Sequence, residues 1–267
     1  MNFLHGLFLS FVQSATEFLP VSSSGHLLFL KGLLQFQDMP LIYDILMHVG
    51  SLVAVCIFYA SKIRETLSGA CVEIRQHLPE RPQLRFIIYV GISSIVTFAC
   101  YILFKDAIES KFETPSVLSV TFLITSAVLL STRWLGKRES RNVRDMAWWF
   151  AVVIGLFQAM AILPGVSRSG TTISLMLLFS IRRDEAAYYS FMLFIPAALG
   201  ALVFKLSDMS NVAYLLNNWS ALLLSFIAAS LFSYLFLTLL TWIVRRGRIW
   251  IFAFYTFALA GISWAVF

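Results

Sequence analysis

Apolar runs of about 15 to 25 residues recur along the whole chain, separated by short polar or charged stretches, the pattern of helices that cross a hydrocarbon core of roughly 30 Å. Full crossings are predicted at about 43–60, 86–104, 116–132, 186–204, 219–244 and 249–267. Two further apolar stretches are interrupted. Residues 1–19 contain Gln13, Thr16 and Glu17 and stop at Pro20, and residues 26–36 resume a helical pattern that ends at Gln37-Asp38-Met39-Pro40. Residues 146–163 enter the membrane, break at Pro164-Gly165 and continue as a short apolar helix to Arg182-Arg183-Asp184-Glu185. Each pair reads as a re-entrant hairpin, allowed at membrane depth only where protein or a wet cavity surrounds its turn.

The two turns are copies of one another. Val21-Ser22-Ser23-Ser24-Gly25 and Val166-Ser167-Arg168-Ser169-Gly170 differ at one position, and a Leu-Pro precedes each, with Gly165 as the insertion. The expected fold is therefore an all-α polytopic membrane protein, six transmembrane helices plus two re-entrant helical hairpins in an inverted-topology repeat. It forms one integral membrane domain over 1–267, with repeats at approximately 1–132 and 133–267.

Composition agrees with the pattern: 59% of the 267 residues are hydrophobic and the mean hydropathy is +0.82, far above soluble averages. The net charge of +6 raises nucleic acid as a partner, but the placement of the basic residues records topology instead. Loops at 61–85, 133–145 and 245–248 hold five, five and three of the 20 Lys and Arg, which puts them in the cytoplasm and both termini outside. The first hairpin then enters from outside and the second from the cytoplasm, and such repeats place their polar site near the midplane. Residues 1–19 lack the basic n-region and cleavage site of a secretory signal and are expected to stay in the fold. Cys56, Cys71 and Cys100 have no metal-ligand spacing and read as buried small hydrophobes.

Ionisable side chains at the bilayer centre cost about 2.5–3.5 kcal/mol on insertion scales, so Glu17, His26 and Arg168 are functional candidates. The competing readings are a structural Glu–Arg pair and small-residue helix packing by the serines. The alternative is an anion site. Arg168 supplies a planar fork of donors, and Ser167, Ser169, Thr171 and Thr172 add hydroxyls. Gly165 and Gly170 let backbone N–H groups turn inward at the start of a helix. The first turn offers Ser22, Ser24 and Gly25 in the same roles, with Glu17 and His26 able to carry protons. An anion clamp facing an acid/base set suits phosphoryl transfer.

Other residues read more plainly. His48 is expected to be a hydrogen-bonded core histidine, Asp44 a capping or solvated residue, and His5 and His77 surface histidines. Trp134, Trp148 and Trp149 flank a basic loop as an interfacial belt does, and Lys31 either attracts an anion or snorkels.

Gln13-x-x-x-Glu17-Phe-Leu-Pro-Val-Ser-Ser-Ser-Gly-His26 and Pro164-Gly-Val-Ser-Arg-Ser-Gly-Thr-Thr172 resemble the two signature regions of the undecaprenyl-diphosphate phosphatase family, the bacitracin-resistance proteins. The resemblance extends over essentially the whole chain. It implies a bacterial inner-membrane enzyme that hydrolyses undecaprenyl diphosphate to undecaprenyl phosphate and inorganic phosphate, recycling the lipid carrier of cell-wall synthesis. It also implies a site open to the periplasm and a divalent cation, Mg²⁺ or Ca²⁺. Carried over, Glu17 is the acidic residue, Ser23 and His26 are nucleophile or base candidates, and Arg168 is the phosphate clamp. Many members carry a second glutamate four residues before Glu17. Gln13 stands there, which leaves Glu17 and the substrate's phosphates to hold a metal, with Gln13 as a weak ligand.

Attack by Ser23 or His26 on the terminal phosphorus and attack by water with His26 as base use the same residues. The expected partners are a polyprenyl diphosphate, membrane lipids and a second copy of the chain as a homodimer, with no nucleic acid. A transporter or flippase of a polyprenyl phosphate or other anion is the rival from another class, since midplane hairpins in inverted repeats recur in transporters. A membrane scaffold leaves the two matched polar turns without a purpose.

Overall fold

Proline and glycine punctuate this chain where its helices turn. The structure is a computed structural model that describes residues 3–34, 41–112, 114–135, 141–206 and 210–267, with side chains left aside at residues 3–6, 31, 34, 41–44, 109–111, 135, 204–206, 210–218 and 221. Among these residues it is all helical: α1 (Phe3–Phe18), α2 (Ser23–Leu34), α3 (Leu41–Phe58), α4 (Ala60–Arg75), α5 (Pro82–Lys111), α6 (Leu118–Leu135), α7 (Trp148–Met160), α8 (Arg168–Leu178), α9 (Arg183–Leu206), α10 (Ser210–Arg245) and α11 (Phe252–Val266). The side chains of His5, Lys31 and Asp44, and residues 37–40, 137–139 and 208, lie outside the described residues.

Five helical stretches among the described residues are long and apolar enough to cross a membrane: Pro82–Ile108, Pro115–Trp134, Arg183–Val203, Leu222–Arg245 and Ile249–Val266. A sixth is reached if α3 and α4 count together, though they meet at 69° beside Tyr59. The chain is a multi-pass membrane protein. α4 is a departure from the sequence reading, in which residues 61–85 form a charged loop. Arg64, Glu65 and Arg75 are exposed and Lys62 pairs with Glu185 (2.9 Å), while Glu73 is buried and accepts the N–H groups of Gln83 (3.0 Å) and Leu84 (2.8 Å) at the first turn of α5. A carboxylate is well placed there, against the positive end of the helix dipole. α5 likewise continues through Lys105 and Asp106, beyond the predicted span.

Each broken pair packs on a helix distant in sequence. α1 lies along α10 and α7 along α5, while α6 packs on α11 and α3 on α9. Hydroxyls join the first pair, Ser10 and Ser14 donating to the carbonyls of Ser225 (3.1 Å) and Ala229 (3.0 Å). The second pair uses the same device, with Ser93 donating to Ala151 O (2.6 Å) and Thr97 to Gly155 O (3.0 Å). In lipid, where apolar contact alone does not distinguish a helix from its solvent, small residues and such bonds hold helices together. The largest buried cluster, with Phe18, Phe86, Tyr188, Tyr189 and Phe191, fills the centre beneath the two turns. The cysteines correct the sequence reading: all are free thiols, but Cys56 and Cys71 are exposed and Cys100 is partly so. On helix faces without a protein neighbour, an apolar thiol needs no burial.

Candidate active site

Pro20 removes a donor just past the end of α1, and the chain reverses through Ser22, a non-glycine residue at φ +69°. α2 then begins at Ser23, with Ser22 Oγ accepting the Gly25 N–H (3.3 Å). The second turn runs through Gly165 at φ +93°, and Ser167 caps α8 by accepting the Gly170 N–H (3.1 Å). A Cβ built on Gly165 would stand 2.0 Å from Thr121 Oγ1, so the space as well as the conformation demands glycine.

The two tips touch. Gly165 N–H donates to Ser22 Oγ (3.1 Å), Ser169 Oγ–H donates to the Phe18 carbonyl (3.2 Å), and a Cβ on Gly25 would lie 2.7 Å from Gly165 Cα. At this junction Arg168 Nη2 donates to Glu17 Oε1. Ser23 Oγ–H donates to Glu17 Oε2 at 2.6 Å, a short charge-assisted bond, and Gln13 Nε2 donates to the same oxygen at 3.3 Å. The guanidinium lies 4.3 Å from the ring centre of Phe194 on α9, and its Nη1 is buried with no hydrogen-bond partner among the described residues. A buried donor of a cation without an acceptor is a standing vacancy for an anion's oxygen.

The chain as a whole is similar to known proteins. The family model described as bacitracin resistance protein BacA matches residues 6–262. The chain belongs to this family. It is 34% identical to an undecaprenyl-diphosphatase of Methanosphaera stadtmanae over 96% of this chain and 94% of that one. It is 35% identical to an undecaprenyl-diphosphatase of Desulfatibacillum aliphaticivorans, over 96% and 95%. An undecaprenyl-diphosphatase of Carboxydothermus hydrogenoformans is 33% identical over 97% and 95%.

In this BacA-family chain the structure sorts the candidates from the sequence. Glu17, Ser23 and Arg168 come together. His26 does not join them: Nδ1 lies 2.8 Å from Ser22 O and Nε2 2.8 Å from the Tyr255 hydroxyl. The glycine amides expected to form an anion nest are engaged, Gly165 with Ser22 and Gly170 with Ser167. Ser169 is spent on Phe18, and Thr172 Oγ1 on Arg168 O (2.9 Å) and Ser190 Oγ (2.6 Å). These hydroxyls build the junction. Thr171 Oγ1 is buried without a partner among the described residues, and Ser24 is exposed beside the first turn, its Oγ 3.4 Å from that of Ser22.

Two neighbours of the site were not placed there by the sequence. His48 is hydrogen-bonded, as expected, but part-buried beside Glu17 rather than in the core: its Nε2 lies 3.1 Å from Gln13 Nε2 and 3.6 Å from Glu17 Oε2. Tyr255 reaches the first turn from the last helix, a contact across 229 positions that leaves no local signal.

The described residues hold no group of three His, Cys, Asp or Glu that could cage a metal ion. Gln13 turns its amide nitrogen toward Glu17, whose carboxylate is shared with Ser23 and Arg168, while Gln13 Oε1 is buried without a hydrogen-bond partner among the described residues. A hard cation held here would take Glu17 and complete its shell with a substrate's phosphate oxygens.

Proposed function

We propose that the chain is an integral membrane lipid diphosphatase that hydrolyses undecaprenyl diphosphate to undecaprenyl phosphate and inorganic phosphate. The observation that carries this reading is the Ser23–Glu17–Arg168 junction, with one guanidinium nitrogen open beside a hydroxyl already bonded to its base. Full-length similarity to undecaprenyl-diphosphatases supports the same substrate.

The terminal phosphate binds with an oxygen on Arg168 Nη1, aided by the Thr171 and Ser24 hydroxyls. A phosphate competes with Glu17 for the guanidinium, and a carboxylate relieved of Arg168 is a better acceptor for a proton. Ser23 Oγ attacks the terminal phosphorus as its proton passes to Glu17 Oε2, and the bond from that phosphorus to the bridging oxygen breaks, releasing undecaprenyl phosphate. Water, deprotonated by a carboxylate that has returned its first proton to solvent, then attacks the phosphorus of the phosphoserine; the P–Oγ bond breaks, Glu17 returns the water's proton to Ser23 Oγ, and inorganic phosphate leaves. Gln13, held between Glu17 and His48, fixes the orientation of the carboxylate. Glu17 and Gln13 are the residues that would hold a divalent cation, Mg²⁺ or Ca²⁺, which when bound offsets negative charge on the phosphates.

The fold within this proposal is a single domain of two inverted repeats, each with a re-entrant hairpin. The exchanged packing supports it, since α1 on α10 and α7 on α5 are the same contact made twice. With the basic loops inside, the site opens toward the periplasm of a bacterial inner membrane. Two copies associating as a homodimer is part of the same reading, tested by the mass of the detergent-solubilised particle.

Phosphate release from C55 or C15 prenyl diphosphate by the purified protein in detergent tests the function, with Mg²⁺, Ca²⁺ or EDTA present. Turnover that disappears in Ser23→Ala, Glu17→Ala and Arg168→Ala supports it. A folded wild-type protein that releases no phosphate under any of these conditions overturns it.

A further inference from the structure

His26 has both ring nitrogens committed away from Ser23 and Glu17. A carbonyl oxygen only accepts, so Nδ1, 2.8 Å from Ser22 O, carries a hydrogen. In the neutral ring Nε2 is then the acceptor, and the Tyr255 hydroxyl donates to it at 2.8 Å. The two rings lie 7° from parallel, and Phe122 meets the imidazole edge-on from α6. His26 is thus fixed between the first turn, α6 and α11, and its backbone-side contact falls on Ser22. Ser22 sits in the left-handed region that side chains disfavour, its carbonyl accepts both the His26 amide (3.1 Å) and the imidazole, and its Oγ serves Gly25 and Gly165. Ser23, whose hydroxyl must meet Glu17, follows directly.

We propose that His26 is a positioning residue, and that Tyr255 is its partner: the pair ties the Ser22 turn to α11 and so holds Ser23 Oγ on Glu17. Neither side chain exchanges a proton with the substrate. The inference rests on the diphosphatase reading and assigns Tyr255 a part in it.

The test is steady-state hydrolysis of C15 prenyl diphosphate across about pH 5.5 to 9 by wild type, His26→Ala, His26→Asn, Tyr255→Phe and the Asn/Phe double variant. Asparagine places an amide N–H where Nδ1 stands and does not titrate. His26→Asn is expected to keep kcat within about tenfold of wild type with the same pH profile, while His26→Ala falls by about 10²-fold or more. Tyr255→Phe should lower kcat about three- to tenfold with KM unchanged, and should remove little more when added to His26→Asn, because both act through one link. A His26→Asn variant as inactive as His26→Ala, or one missing a limb of the pH profile, makes His26 a proton carrier and overturns the proposal. So does full additivity of Tyr255→Phe. If the wild type releases no phosphate, the diphosphatase reading fails instead. The link is then read from the ¹⁵N signals of the imidazole, where Tyr255→Phe must shift Nε2 and leave Nδ1–H in place, and an unmoved Nε2 refutes it.

Discussion

Arg168 holds Glu17 with one nitrogen of its fork and leaves the other buried and open, so the side chain is half employed before any ligand arrives. Lysine in its place keeps the charge but not the fork, and it loses the flat face that lies over Phe194. Arg168→Lys is accordingly expected to lower kcat/KM by about 10²-fold, read from phosphate release, with the protein still folded. Gln13→Glu sets a second carboxylate beside Glu17, and the prediction is a lower cation concentration for half-maximal activity. Unchanged cation dependence would remove Gln13 from the metal's surroundings. At this scale the sequence was informative where a residue was improbable for its place. Glu17 and Arg168 in apolar surroundings announced themselves, whereas His48 looked like one polar residue within an apolar helix. Nothing local to it reveals Gln13, 35 positions earlier.

The elements were legible wherever hydropathy alone decides, and this includes both broken pairs, because proline and glycine interrupt apolar runs at 20, 164 and 165. α4 was not, since a helix rich in charge and lying on a surface has the composition of a loop; what marks it is Glu73, whose two partners stand at the start of the next helix. Glu73→Ala removes an acceptor shared by two N–H groups and should lower stability by about 1–2 kcal/mol, seen as an earlier thermal unfolding in detergent. The tips are less forgiving. Gly165→Ala combines a φ of +93° with a clash against Thr121, and should cost several times as much as Gly91→Ala, where an added Cβ meets nothing within 4 Å. Equal unfolding temperatures for the two variants would mean that the tip yields.

Across the whole molecule, the placement of the basic loops predicts an orientation, and the exchanged packing joins the two halves. Cys71, exposed on α4, should react with a membrane-impermeant maleimide only after the inner face of the membrane is opened. In a background without the native cysteines, a cysteine replacing Thr114, exposed between α5 and α6, should react in intact cells. The reverse pattern would invert the molecule and its site. The nest predicted at Gly165 and Gly170 shows why sequence alone misplaced the second turn's donors: two matched motifs say that two turns exist, not that each turn's serines are used to bind the other.

Because α1 rests on α10 and its turn is pinned to the second turn and to α11, residues 3–18 gain most of their packing partners only once α10 and α11 have been made. Glu17 is therefore made long before the arginine that pairs with it. A nascent chain halted before Arg168 carries an acid with nowhere to go, and its N-terminal segment must wait at the membrane surface or within the insertion machinery. The junction of Glu17, Ser23 and Arg168 is complete only once α8 is in place, and a chain halted before α8 lacks it.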